Sequence, residues 1–270
     1  MIPSALAGQL GRGLADFLRF SFWSSTPGME RVIDDLLAHP GGLLKGPYLS
    51  LKLPFRPGSN PRFFPEVPLA FMPHEHQERA FERLGGRRKL STLVATGTGS
   101  GKTEAFLLPI LEHCRAEAGT PGVKAILIYP MNALATDQAA RIAATIHGND
   151  RLRGRFSAGL YIGEDRGGAV GETAMGPTAV IPDRATMQAT PPDILLTNYK
   201  MLDYLLLRPR DQGIWQHNAR GALRFLVVDE IPPFDGAQGT DLACLIRRLK
   251  RRLQVDDGSL CCVGTSATLG

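Results

Sequence analysis

The chain has 270 residues, 43% hydrophobic and 21% charged, with 31 Lys and Arg against 26 Asp and Glu for a formal charge of +5. That length suffices to bury a sizeable core in one large domain or two small ones. The mild basic excess accommodates a nucleic-acid partner without requiring one. No apolar run approaches the roughly 18 residues of a membrane span. The apolar stretch over residues 14–23 is interrupted by Asp16 and Arg19, with no cleavage pattern after it, so it does not read as a signal peptide. A cytoplasmic protein with no membrane partner is expected. Cys114, Cys244, Cys261 and Cys262 show no paired spacing, and read as buried reduced thiols rather than a zinc site or disulfide framework.

In chain order, apolar residues recur at helical spacing over residues 5–22 and 29–37. Residues 41–65 are then rich in Gly and Pro, with one short apolar run at 48–55. Together these predict a small N-terminal extension over residues 1–72. From residue 73 the rhythm changes. Short apolar runs at 92–95, 124–129, 158–162, 193–197, 224–228 and 260–263 alternate with helical patterns at 103–115, 132–146, 199–207 and 240–253. Near-continuous apolar strands separated by helices predict an α/β fold with a mostly parallel sheet covered on both faces. Residues 163–192, rich in Gly, Pro and Thr, read as a long loop.

The run STLVATGTGSGKT at 91–103 is a short strand, a glycine-rich turn and a helix opened by Lys102 and Thr103. Phosphate binding needs that order. Gly97, Gly99 and Gly101 allow a tight turn whose N–H groups converge on an anion, Thr98 and Ser100 included. The helix N-terminus adds unsatisfied donors and a favourable dipole. Lys102 is placed to reach the β- and γ-phosphates of ATP, and the Thr103 hydroxyl to ligate Mg²⁺. Thr96 stands where the strict pattern has Gly, but the turn-forming glycines follow it.

A second strand, RFLVVDE at 224–230, ends in two carboxylates. Parallel sheets present ligands at the C-terminal ends of their strands. An isolated Asp-Glu pair would be two exposed acids capping a strand. With the phosphate loop upstream, Asp229 is expected to hold Mg²⁺ through water and Glu230 to orient or deprotonate the attacking water.

Five blocks now stand in order: TGTGSGKTEAF, YPMNALATDQ, TNYKMLDYLL, VVDE and GTSAT. This series resembles superfamily 2 helicases of the DEAD/DEAH-box type, and the IRRLKRRL helix after FDGAQGTDLAC is similar to the large Lhr- and YprA-like DNA helicases. The resemblance implies a RecA-like P-loop NTPase domain over residues 73–270. It assigns Gln77, in PHEHQERAF, to the adenine edge, with Arg79 nearby. It assigns Pro130, Asn132 and Gln138, in the block 130–138, and Thr197 and Asn198, followed by Tyr199, to nucleic-acid contact, with DNA favoured by the resemblance and the choice between DNA and RNA left open by the residues themselves. Ser266, Ala267 and Thr268 would link nucleotide state to nucleic-acid grip. The run Arg247, Arg248, Lys250, Arg251 and Arg252 reads as a solvated helix end favoured by the dipole.

Two departures bear on function. The fourth position of the DExx block, usually His in this family, is Pro232, which has neither a titratable group nor an N–H. The expected coupling of hydrolysis to nucleic acid is thereby weakened. The sequence also ends at Gly270, where family members continue into a second RecA-like domain, so that partner is expected in cis or in trans. The reading is the ATP-binding N-terminal half of a helicase, with weak turnover of its own. The rivals are an inert nucleotide-binding fragment of a truncated gene and the motor portion of a restriction-type DNA translocase. A small-molecule kinase would leave the 130–138 and SAT blocks as coincidences.

Overall fold

The computed structural model describes residues 3–29, 31–39, 53–163, 173–232 and 234–268. The chain divides into two compact units, residues 1–54 and 55–270. The first holds α1 (Pro3–Ser21) and α2 (Val32–Ala38), joined by Arg19 Nε donating to Asp34 at 2.8 Å. Both match the helical spacing of the sequence. The apolar run expected at 48–55 lies largely outside the described residues.

The second unit carries α3 (Glu75–Gly85), β1 (Thr92–Ala95), α4 (Lys102–Ala116), β2 (Ala125–Tyr129), α5 (Asn132–His147), β3 (Ala158–Tyr161), α6 (Arg184–Ala189), β4 (Ile194–Asn198), α7 (Tyr199–Leu207), α8 (Gly213–Gln216), β5 (Phe225–Val228), α9 (Gly236–Arg252) and β6 (Cys261–Ser266). Residues 55–72 belong to this unit. Phe64 meets Phe81 of α3 edge-on at 5.1 Å, and Glu112 of α4 accepts from the N–H groups of Glu66 and Val67 at 3.1 Å each.

All strand pairings are parallel, in the order β1-β6-β5-β2-β4-β3. Every residue of β2 and β5 is buried, as the continuous apolar runs AILIY and FLVV require at the centre of a two-faced sheet. The period of two along each strand sorts the core into layers. Leu127, Leu196 and Val227 pack with Phe81, Ile110 and Ala143 on one face. Ile126, Leu195 and Leu226 pack with Leu202, Trp215 and Leu249 on the other.

The chain runs from β1 past two strand positions to β2, and β5 and β6 later fill that gap. The C-terminal ends of β1, β6 and β5 therefore lie side by side, where an open α/β sheet forms its ligand crevice.

Two expectations need correction. The tract 163–192 is not one loop. Residues 164–172 fall outside the described set, but α6 forms within the remainder. Asp183 Oδ2 caps it by accepting from Thr186 N at 2.6 Å, and Met187 is buried against Gly159, where a Cβ would strike its sulfur. The cysteines are not uniformly buried either. Cys244 is exposed, because α9 turns Leu245 and Leu249 inward.

Candidate nucleotide site and nucleic-acid face

The turn between β1 and α4 has Gly99 at φ +78° and Gly101 at φ +75°. Gly101 is doubly constrained, since a Cβ there would collide with the Gln77 side chain. Gln77 itself is buried. Its Oε1 accepts from His74 N at 2.8 Å and its Nε2 donates to Gly101 O at 3.0 Å. The glutamine therefore fastens the start of α3 to the phosphate loop, with one N–H and one lone pair to spare. Its neighbour His76 donates through Nε2 to Ser100 O at 2.9 Å. Burial holds the His76 pKa below the ordinary histidine value, against the opposing pull of that carbonyl, and the charges of His74 and Lys102 lower it further. Arg79 is exposed and pairs with Glu75 at 2.5 Å.

Within the turn, the Thr96 and Ser100 hydroxyls lie 2.6 Å apart. Lys102 Nζ donates to Thr96 O at 3.1 Å and Gly97 O at 3.4 Å, so the ammonium lies across the loop. Beside it opens a cleft of about 450 Å³ lined by Phe71, His74, Gln77, Arg141 and residues 99–104. Glu104 and Arg141 form an ion pair in its wall.

At the end of β5, Asp229 N donates to Ile128 O at 2.9 Å and the chain turns sharply. Glu230 sits at φ +53°, a left-handed conformation that non-glycine residues seldom adopt. Thr265 of β6 holds the turn. Its hydroxyl donates to Asp229 Oδ1 and accepts from Glu230 N at 3.1 Å, and its carbonyl accepts from Ile231 N at 2.9 Å. Burial raises the Asp229 pKa and the Glu230 charge adds to this, while the Thr265 hydroxyl and Lys102 oppose. A buried carboxylate beside a second carboxylate favours a nearby cation. With the Thr103 hydroxyl at the first turn of α4, this oxygen donor set fits Mg²⁺. The Tyr129 hydroxyl, at the end of β2, is buried with no hydrogen-bond partner, and burial together with the Asp229 charge pushes its pKa up.

Of the residues assigned to nucleic acid, the structure brings some together and withdraws others. Pro130 is exposed beyond β2, and Asn132 opens α5. Asn198 Nδ2 donates to Asn132 Oδ1 at 2.7 Å, while its own Oδ1 caps α7 by accepting from Met201 N at 2.8 Å. These three residues stand at the same end of the sheet as the phosphate loop. Thr197 is fully buried and its hydroxyl donates to Tyr161 O at 2.7 Å, tying β4 to β3. Gln138 lies in the second turn of α5 with its Oε1 buried and unpartnered.

In the coupling block Ser266 is buried, Ala267 half-buried and Thr268 exposed. Ser266 O accepts from Thr96 N at 3.1 Å, and Ser266 Oγ accepts from Thr268 N at 3.1 Å, so β6 touches both the phosphate loop and the Asp229–Glu230 turn. After Pro232, Phe234 meets the Tyr199 ring edge-on at 5.8 Å. The sequence reading missed Thr265, His76 and Phe234. Only Thr265 had a signal, its place inside GTSAT.

The model of the DEAD/DEAH box helicase family matches residues 74–270. Druantia protein DruE of Escherichia coli (strain UMEA 4076-1) is 28% identical over 73% of this chain and 16% of its own length. The uncharacterized ATP-dependent helicase YprA of Bacillus subtilis (strain 168) is 26% identical over 73% of this chain and 23% of its own. The uncharacterized ATP-dependent helicase MJ1574 of Methanocaldococcus jannaschii is 27% identical, so the chain spans 16% to 26% of the curated relatives it matches. The DUF1998 helicase MrfA bound to DNA and AMPPNP superposes with a TM-score of 0.59 at 23% identity, over 80% of this chain and 28% of that one. DEAD-box helicase Mss116 bound to ssRNA and UDP-BeF gives 0.54 at 20% identity, over 73% and 36%. The parallel sheet is the RecA-like domain of these helicases. With most of its length matched in sequence and its phosphate loop, paired carboxylates and GTSAT strand assembled at one edge of that sheet, the chain belongs to the DEAD/DEAH box helicase family.

Proposed function

We propose that this chain is the ATP-binding N-terminal half of a DNA helicase or translocase. The observation that carries the reading is the convergence on β6. One strand hydrogen-bonds the phosphate loop through Ser266 and, through Thr265, holds the Asp229 carboxylate and the backbone N–H of Glu230. Lys102 and the loop N–H groups bind the phosphates of ATP in the cleft beneath α3. Thr103, and Asp229 through water, would hold Mg²⁺, which supplies positive charge to the β- and γ-phosphate oxygens. Glu230 accepts the proton of a water whose oxygen bonds to the γ-phosphorus as the bond to the ADP oxygen breaks. A second RecA-like domain, in cis or in trans, adds arginine charge at the γ-phosphate, an effect of roughly 10³–10⁵ in rate. Pro130, Asn132 and Asn198 touch the strand backbone, at a helix N-terminus suited to phosphate. DNA is the proposed strand, because the resemblance runs to YprA-like helicases and MrfA is a helicase solved with DNA.

The test is single-turnover ATP hydrolysis with and without a single-stranded oligonucleotide, using the wild-type chain and Glu230→Gln. Retained analogue binding with lost turnover in the variant supports the reading. Equal turnover in both proteins overturns it. Pro232 favours a second reading, a nucleotide-binding unit whose turnover ignores nucleic acid, and an oligonucleotide that leaves the wild-type rate unchanged selects it.

A further inference from the structure

At the opposite end of the sheet lies a second concavity that the nucleotide chemistry does not use. Lys89 leads into β1, Lys124 immediately precedes β2 and Arg224 immediately precedes β5, so all three stand at N-terminal strand ends. Together with Arg87 and Arg220 they line a cavity of about 370 Å³. Lys124 is neutralised by Asp193 at 2.5 Å, and Arg220 pairs with Asp256 at 2.7 Å. Arg87, Lys89 and Arg224 carry no ion pair among the described residues, and Glu117 is the one carboxylate in the lining. His113 also lines it, with Nε2 buried and no hydrogen-bond partner.

Arg220 is shared with a neighbouring concavity of about 610 Å³, walled by Arg247, Lys250 and Arg251 of α9 together with Asp256 and Asp257. Part of the basic run of α9 thus lines a hollow. Arg248 turns away to pair with Asp203 at 2.5 Å and Lys250 is held by Asp257 at 2.8 Å, but Arg247 and Arg251 are exposed along this wall without ion partners among the described residues. Two basic hollows joined through one arginine suit a chain of spaced phosphates better than one compact anion.

We propose that this tract, from Arg87, Lys89 and Arg224 through Arg220 to Arg247 and Arg251, binds the phosphate backbone of a single nucleic-acid strand at the edge of the sheet opposite the ATP site. The inference rests on the reading that the chain touches nucleic acid, and it adds a second contact surface apart from Pro130, Asn132 and Asn198. Burial and the neighbouring Arg224 charge lower the Lys89 pKa, a repulsion that a bound phosphate relieves.

The experiment measures fluorescence anisotropy of labelled 20-mers of deoxythymidylate and of uridylate across a salt series, without ATP. The proteins are the 270-residue chain, Lys89→Gln with Arg224→Gln, and Arg247→Gln with Arg251→Gln. The α9 pair is exposed, so its loss of charge does not disturb the core. Each pair is expected to weaken binding about tenfold at 0.1 M salt and to lower the log–log salt slope by about 1.4, two single-strand phosphate contacts. Binding of a fluorescent ATP analogue should stay unchanged in both variants. Unchanged oligonucleotide affinity and slope in both pairs overturns the proposal while leaving the nucleotide assignment intact. Weakened binding of tripolyphosphate with unchanged oligonucleotide affinity also overturns it, and marks a small-anion site. If Asn132→Ala with Asn198→Ala removes all oligonucleotide binding by itself, the strand lies on the ATP-side face alone and the proposal fails. If the wild-type chain binds analogue but no oligonucleotide, the nucleic-acid reading fails with it.

Discussion

Thr265 shows how one hydroxyl holds a carboxylate and the backbone of the next residue together, since it donates to Asp229 and accepts from Glu230 N. Thr265→Val keeps the shape and removes both bonds. It is expected to lower turnover about 10- to 100-fold, the equivalent of about 1–3 kcal/mol for an unsatisfied buried group, with little change in analogue affinity. Single-turnover kinetics beside an analogue titration separates the two effects. Lys102→Ala should instead abolish most binding, because charge-assisted phosphate contacts are worth about 1.5–3 kcal/mol each; unchanged affinity by calorimetry would remove the phosphate-loop assignment. His113 supplies a pH prediction. Burial, with the charges of Lys89, Arg224 and Lys124, holds its folded pKa at about 4. The unfolded chain takes up a proton near pH 6.5 while the fold does not, so stability falls as pH drops from about 6.5 towards about 4. At pH 5 the expected loss is about 2 kcal/mol, and His113→Phe should flatten the decline in urea midpoints between pH 7 and pH 5. The loop and carboxylates were legible because their chemistry is contiguous in sequence. Gln77 and His76 were less so, because their contacts with Gly101 and Ser100 form only when α3 folds over a loop 24 residues away.

At the scale of the element, all six strands were legible from their apolar runs, the central β2 and β5 most clearly because every one of their residues is buried. The helix α6 was not. It is six residues long and buries only Met187, too little to impose a period on its sequence. The lysine opening the run KAILIY was equally silent about its role. Lys124 is fully buried, donating to Asp193 beside β4 at 2.5 Å and to Thr120 O at 2.6 Å. Asp193→Asn leaves that ammonium without its counter-charge and should destabilise the fold by about 3–5 kcal/mol, read as a shifted urea midpoint with an unchanged slope. Gly264 of β6 has a different constraint, since a Cβ there would strike the Ile231 side chain just past the carboxylates. Gly264→Ala is therefore expected to push the Asp229–Glu230 turn outward and reduce hydrolysis more than it reduces analogue binding.

At the largest scale, the described residues present one RecA-like unit and one phosphate loop. Strand displacement requires two such units opening and closing on a strand. The 270 residues purified alone are accordingly expected to show no ATP-dependent displacement at low salt, and displacement by them would imply that self-association supplies the second unit. Pro232 follows the Asp229–Glu230 turn with neither a titratable group nor an N–H, and the Phe234–Tyr199 ring contact links the segment after it to α7. Pro232→His is expected to raise DNA-stimulated turnover only when a second RecA-like domain is supplied. Stimulation of the variant without that domain would place the coupling wholly within this sheet.

The left-handed backbone at Glu230 sets catalysis against durability. A side chain held at φ +53° costs about 1–2 kcal/mol that glycine does not incur. Glu230→Gly should therefore melt a few degrees above the parent while losing hydrolysis. A library of this protein screened for heat resistance alone would drift towards sequences that have discarded the residue proposed to activate water.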